Sequence, residues 1–242
     1  RHYTLPNPLV CEDGSTVTDS MVWTEKRRPE ILRLFEKEVY GRSPGKPKHI
    51  EFQEFEKDTN ALGGKAKRKQ IQIKLCKDDK ALAINLLIYS PVGTKKPVHT
   101  VHNDPAIKIT ESWVRNRNGI KNNQARQEDR GSSSSRWSIE QIIEHGYMFA
   151  TVYYGEIDPD FDDGFQNGVH GLFSSSTEKN REPTEWGSIA GWAWGLSRCM
   201  DYIEADPVID SQRIAVMGHS RLGKTALWAG AVAVSYTHLR AH

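Results

Sequence analysis

Cysteine is scarce in this chain of 242 residues, and the three present, Cys11, Cys76 and Cys199, are far apart with no metal-ligand spacing. An odd number cannot close a disulfide framework, so free buried thiols are expected and no bound metal. No apolar stretch is long enough to span a bilayer, and the first residues lack the charged and apolar regions of a signal peptide. The expectation is a mature or trimmed form. Charge of a single sign is missing too: 33 Lys and Arg stand against 31 Asp and Glu, a formal net charge of +2. Mixed along the chain as they are, these charges carry neither a nucleic-acid nor a membrane signature. The one basic run, Lys65 to Lys69, is read as a solvated strand edge.

What is present suits a soluble α/β domain, since the length and a hydrophobic content of 37% allow one sizeable core. The chain is organised around residues 213 to 231, RIAVMGHSRLGKTALWAGA. Arg213 to Gly218 reads as a short buried strand, and the Ala- and Leu-rich stretch from Leu222 reads as a helix. Ser220 falls at the turn between them. That setting can push a serine up at a sheet's edge, with helix N–H groups beside it to hold a developing oxyanion.

The same string, Gly218 to Thr225, also fits G-x-x-x-x-G-K-[ST], in which backbone N–H groups cradle phosphates, Lys224 reaches them and Thr225 holds Mg²⁺. Locally the two readings compete. Context favours the serine: at least two strand–helix units precede the turn, whereas phosphate-binding loops usually follow the first strand. Nor does an apolar strand ending in Asp follow Ala231 to hold Mg²⁺.

Elsewhere, residues 1 to 24 read as irregular and Pro29 as the first position of a helix whose Ile31, Leu34 and Phe35 line one face, with Gly41 past its end. Residues 67–76, where Ile71, Ile73 and Leu75 alternate, and 81–90, an apolar run, read as two strands of a hairpin. From VHNDP through GSSSSRW a long polar span reads as a surface loop. Ser138 and Gln141 form a capping box, Trp137 staples onto Ile142, and Gly146 ends that helix ahead of a buried strand, 147–154. Asp158, Asp160, Asp162 and Asp163 then invite calcium, but Asp163 stands where a calcium-binding hand needs Gly. A solvated loop at a strand's carboxyl end is the better reading. Residues 185–205 form a long helix with Thr184 as N-cap, Pro207 beyond its end, and Trp192 and Trp194 as core contacts rather than sugar platforms.

The stretches GHSRLGKTALWAGA, EWGSIAGWAWGLSRCMDYIEADPVID, YYGEIDPDFDDGFQNGVHGLF and RRPEILRLFEKEVYGRSP closely resemble the bacterial glucuronoyl esterases of carbohydrate esterase family 15. The resemblance covers most of residues 1 to 231. It implies an α/β-hydrolase fold, a three-layer sandwich, and a secreted or periplasmic serine esterase acting on (4-O-methyl-)glucuronoyl esters of glucuronoxylan, lignin links included. No cofactor is implied. It also implies that Ser220 is the nucleophile, that Arg221 stabilises the oxyanion and that Lys224 bonds sugar hydroxyls. A related acetylxylan esterase would share the elbow.

Two departures from the family pattern are expected to matter. After KKPV the chain passes at once into HTVHNDP, so a core strand is missing near Val98. Residues 232–242, ending THLRAH, match nothing in the family and read as an unrelated tail after a partial domain over 1–231. On that reading His238 is no general base, the triad histidine and acid lie beyond the chain, and these 242 residues alone are inactive.

Overall fold

The structure, a computed structural model, describes residues 3–93, 96–102, 122–124, 135, 137–173, 181–211 and 213–233, with the side chains of 96–102 left out. It opens with one helical run. Asp19 starts it by accepting from the Val22 N–H at 2.9 Å. The run then passes through α1 (Ser20–Val22), a wide π turn (Trp23–Arg27), α2 (Arg28–Phe35) and a second π turn (Glu36–Tyr40), ending at Gly41 with φ 78°. Helix therefore begins earlier than the sequence reading placed it, and Pro29 sits inside the run. Proline has no N–H for the ladder and crowds the preceding turn, and a wider turn lies directly before it. Each π turn also adds a residue and rotates the buried stripe by about 100°. Leu34 and Phe35 are consequently exposed, against expectation, while Leu32 packs on the core. Glu30 is buried and accepts from the Glu12 N–H and Arg27 Nη1, both at 3.0 Å, tying down the N-terminal segment.

Among the described residues six strands form one sheet: β1 (His49–Ala61), β2 (Ala66–Lys77), β3 (Lys80–Pro91), β4 (Lys96–His102), β5 (Tyr147–Tyr153) and β6 (Val216–Met217). Their spatial order is β1-β2-β3-β5-β4-β6. The first three and β5 pair antiparallel, and β4 runs parallel to both β5 and β6. The expected hairpin is β2–β3, closed by Asp78 and Asp79 with Asp78 at φ 54°.

Two expectations fail here. The core strand thought missing near Val98 is β4, between β5 and β6 with His99 opposite both Ala150 and Val216. A strand needs only its backbone ladder, so the polar residues of KPVHTVH concealed it. The run Lys65–Lys69 is no solvated edge either, because β1 covers that side of β2. Lys69 donates to Tyr202 at 3.0 Å and pairs with Asp206, and Arg68 pairs with Glu56 at 2.6 Å.

Helices cover the sheet. The crossover from β4 to β5 carries α3 (Ile139–Glu144). Gly146, at φ 79°, ends α3 as expected, but Ser138 makes no side-chain cap bond and the Trp137 ring lies on Phe149, centroids 6.0 Å apart. After β5 come α4 (Tyr154–Ile157), α5 (Gly168–Phe173), α6 (Ser188–Ala205) and, beyond β6, α7 (Arg221–Val232). From Met148 to Tyr153 every residue of β5 is buried, so both faces of the sheet's centre are covered. This is the α/β-hydrolase arrangement.

The long helix α6 lies at the heart of the core, with Ala193, Leu196, Met200 and Ile203 buried. Its N-cap is Gly187, not Thr184, since the Gly187 N–H bonds to Tyr40 O at 2.9 Å and docking on that segment fixes the start. A Cβ on Gly195 would meet Ile157 Cδ1 at 2.6 Å, so only glycine lets α6 approach α4 this closely. Trp192 and Trp194 are core residues whose indole N–H groups donate to Asp158 O and Pro44 O at 2.8 and 2.9 Å.

Candidate active site

The chain runs from β4 to β5 on one side and then crosses back to β6 on the other. Open α/β sheets place their ligand sites at such a reversal, beyond the carboxyl ends of the strands. Ser220 lies there. It caps α7 at φ 56° and ψ −122°, a conformation costly for any residue with a Cβ and found where function holds it in place. The turn is tight, because a Cβ on Gly218 would strike the carbonyl of Leu222. Strand β6 is shorter than the 213–218 expected: Arg213 is held in a turn by Asp210 at 2.6 Å, and pairing is confined to His99 and Thr100 of β4.

Arg221 is the first residue of α7, and the first N–H groups of a helix have no intrahelical acceptor. Lys224 follows one turn later, exposed, with no ion pair among the described residues. His219 is exposed on the turn and its carbonyl accepts from Leu222 N–H at 3.0 Å, while Ser220 O accepts from Lys224 N–H at 3.2 Å. The phosphate-cradle alternative fits poorly. It needs a loop of free N–H groups ahead of the helix, whereas residues 221 to 223 are already helical and the Leu222 and Lys224 N–H groups are bonded.

The acidic loop after α4 reaches the same place. The Asp160 carboxylate pairs with Arg221 Nη1 and accepts from the Tyr154 hydroxyl at 3.2 Å. Asp162 and Asp163 hold the loop's own backbone: Asp162 accepts from Gly164 N–H at 3.1 Å, Asp163 from Phe165 N–H at 3.0 Å and from Asn167. Among the described residues no group of three or more His, Cys, Asp or Glu is placed to hold a metal.

Behind this loop lies a buried pair that the sequence did not reveal. His170 Nδ1 is 3.5 Å from Asp158 Oδ1, and both side chains are almost wholly enclosed. His170 Nε2 lies 3.2 Å from Trp186 O. A carbonyl only accepts, so Nε2 carries the ring proton and Nδ1 is bare. Burial pushes Asp158 up to about 7, aided by Asp163 and Asp160 and opposed by the Ser188 hydroxyl and Arg181. It pushes His170 down to about 4, with Arg181 acting in the same direction and Asp163 and Glu185 against it. Both shifts favour a neutral pair, the carboxyl protonated and the imidazole uncharged, although at 3.5 Å Asp158 Oδ1 and His170 Nδ1 make no hydrogen bond with each other.

Comparison with known proteins accords with this geometry. A family model described as "Glucuronyl esterase, fungi" matches residues 171–235. The carbohydrate esterase MZ0003, from an unknown prokaryotic organism, is 45% identical over 95% of this chain and 56% of its own length. A solved structure of the glucuronoyl esterase from Solibacter usitatus superposes with a TM-score of 0.86 at 39% identity, covering 99% of this chain and 63% of that one. The chain is a relative of the glucuronoyl esterases, similar to them along almost all of its own length. A 4-O-methyl-glucuronoyl methylesterase from Schizophyllum commune is 26% identical over 94% of this chain and 46% of its own length. The chain spans about half the length of the curated relatives it matches. The matched family segment holds α6, the elbow and α7, and the acidic loop lies before it. Of the three residues singled out from the sequence, Ser220 and Arg221 adjoin on the elbow and Lys224 shares their end of α7. His238 lies outside the described residues. Asp160 was noticed only as part of the acidic loop and Tyr154 not at all; the pairing of Asp160 with Arg221 was missed, since 61 residues separate them and only the fold joins them.

Proposed function

We propose that the protein is a serine carboxylic ester hydrolase that cleaves (4-O-methyl-)glucuronoyl esters of glucuronoxylan, including lignin–carbohydrate links. The observation that carries the proposal is the strained Ser220 at the strand-to-helix turn, with two cations on the same end of α7. Ser220 Oγ attacks the ester carbonyl carbon and the carbonyl oxygen gains the electron pair. That oxyanion forms beside the Arg221 N–H and guanidinium, at the positive end of a helix, where fixed charge stabilises it most. Collapse expels the alcohol, and water then hydrolyses the acyl-enzyme. A general base must take the Ser220 proton. Among the described residues no imidazole bonds to Ser220 Oγ, and His219, its neighbour on the turn, faces poor geometry, so the base comes from outside them.

Lys224 donates only, and an esterified uronic acid is neutral. The lysine therefore acts on sugar hydroxyls rather than on a carboxylate. The family's extracellular carbohydrate chemistry supports a secreted or periplasmic location. The test is hydrolysis of a benzyl glucuronate ester by the full chain carrying these residues. Ser220→Ala is expected to abolish it, as loss of a nucleophile costs several orders of magnitude in kcat. Hydrolysis that survives Ser220→Ala refutes the assignment, and turnover of acetylated xylan alone refutes the substrate class.

A further inference from the structure

We infer that Asp160 is a positioning residue that clamps the Arg221 guanidinium beside Ser220; the inference rests on the esterase reading of that serine. Arginine is long and flexible, and the Arg221 side chain is 50% exposed. Left to itself it would sample many rotamers, and ordering it would cost entropy each time it met an oxyanion. Asp160 removes that freedom. Its side chain is only 16% exposed, and each of its oxygens has its own donor: Oδ1 takes Arg221 Nη1, and Oδ2 takes the Tyr154 hydroxyl at 3.2 Å.

The clamp is anchored in the core. Burial, with Asp160 adding to it, pushes the Tyr154 phenol up to about 12, so it stays a proton donor at any working pH. The Tyr154 ring meets Trp192 edge-on with centroids 5.2 Å apart, and the Trp192 indole donates to Asp158 O at 2.8 Å. The start of α4, the acidic loop and the start of α7 therefore converge on one ion pair. An ion pair this exposed adds little to stability, so the pair is better explained by where it puts the cation than by what it adds to folding. Two effects oppose each other. Asp160 partly cancels the positive field at the oxyanion, but it also makes the field's source stationary, and preorganisation dominates in sites of this kind.

The experiment measures kcat and KM of the full chain on a benzyl glucuronate ester for wild type, Ser220→Ala, Asp160→Ala, Arg221→Ala and the double variant Asp160→Ala/Arg221→Ala. Asp160→Ala is expected to lower kcat about tenfold with KM within twofold, a fraction of the loss seen when an oxyanion donor is removed outright. In the Arg221→Ala background the same change should cost less than about twofold, because the group it positions is gone. Asp160→Asn keeps an acceptor oxygen without the charge and should fall between. An unchanged or raised kcat in Asp160→Ala overturns the inference. So does an equal loss in both backgrounds, which would mark a merely structural role. If Ser220→Ala is inactive while Asp160→Ala is silent, positioning fails and the esterase reading stands; if hydrolysis never depends on Ser220, both fall.

Discussion

Replacing one member of the buried Asp158–His170 pair should create a pH dependence of stability that the intact pair conceals. In the folded protein, between about pH 4 and 7, Asp158 holds a proton and His170 does not. In the unfolded chain, between 3.8 and 6.5, the carboxylate is bare and the imidazole is charged. Each state holds one proton, so the pair contributes almost no slope across most of that interval. Asp158→Asn deletes the carboxyl titration and leaves His170, lowered by burial. The unfolded chain then binds more protons than the folded one from about pH 4 to 6.5, and stability must rise with pH through this window. At about 1.4 kcal/mol per pH unit the rise has a ceiling of roughly 3 kcal/mol. His170→Phe leaves Asp158, raised by burial, and reverses the sign: stability falls as pH climbs from about 3.8 to 7, with a ceiling of roughly 4 kcal/mol. Urea unfolding followed by tryptophan fluorescence at pH 4.5, 5.5 and 6.5 measures this, taken as variant minus wild type so that other carboxylates cancel. Slopes of the same sign in both variants, or two flat differences, would refute the neutral pair.

Two further outcomes concern the elbow. Ser220→Gly should be more stable than Ser220→Ala by about 1 kcal/mol, because glycine occupies positive φ without the Cβ penalty, and thermal melts of the two variants compare them directly. Gly218→Ala should cost more than about 2 kcal/mol and weaken the start of α7, since the new methyl group meets the Leu222 carbonyl rather than a movable side chain; the midpoint of urea unfolding gives the loss.

Local features were legible wherever one stretch of chain holds all the determinants. The hairpin of β2 and β3 shows in the alternation of Ile71, Ile73 and Leu75, which are all buried. The long helix α6 shows in its apolar stripe, and the serine turn shows in Gly218-His219-Ser220 between an apolar run and an alanine-rich one. Where the reading failed, the decisive partner was distant. β4 is polar and is a strand because β5 and β6 flank it, and α6 starts at Gly187 because Tyr40 receives its N–H. Leu34 and Phe35 look like a buried face until two π turns rotate the run.

The sequence by itself determined that the chain is an α/β protein with a serine on a tight turn and cations beside it, since periodicity and turn chemistry act over a few residues. Only the tertiary structure decided which carboxylate meets Arg221 and which buried histidine lies beside Asp158. Those contacts join residues that chain spacing leaves unrelated, and their chemistry comes from the burial and proximity that folding creates.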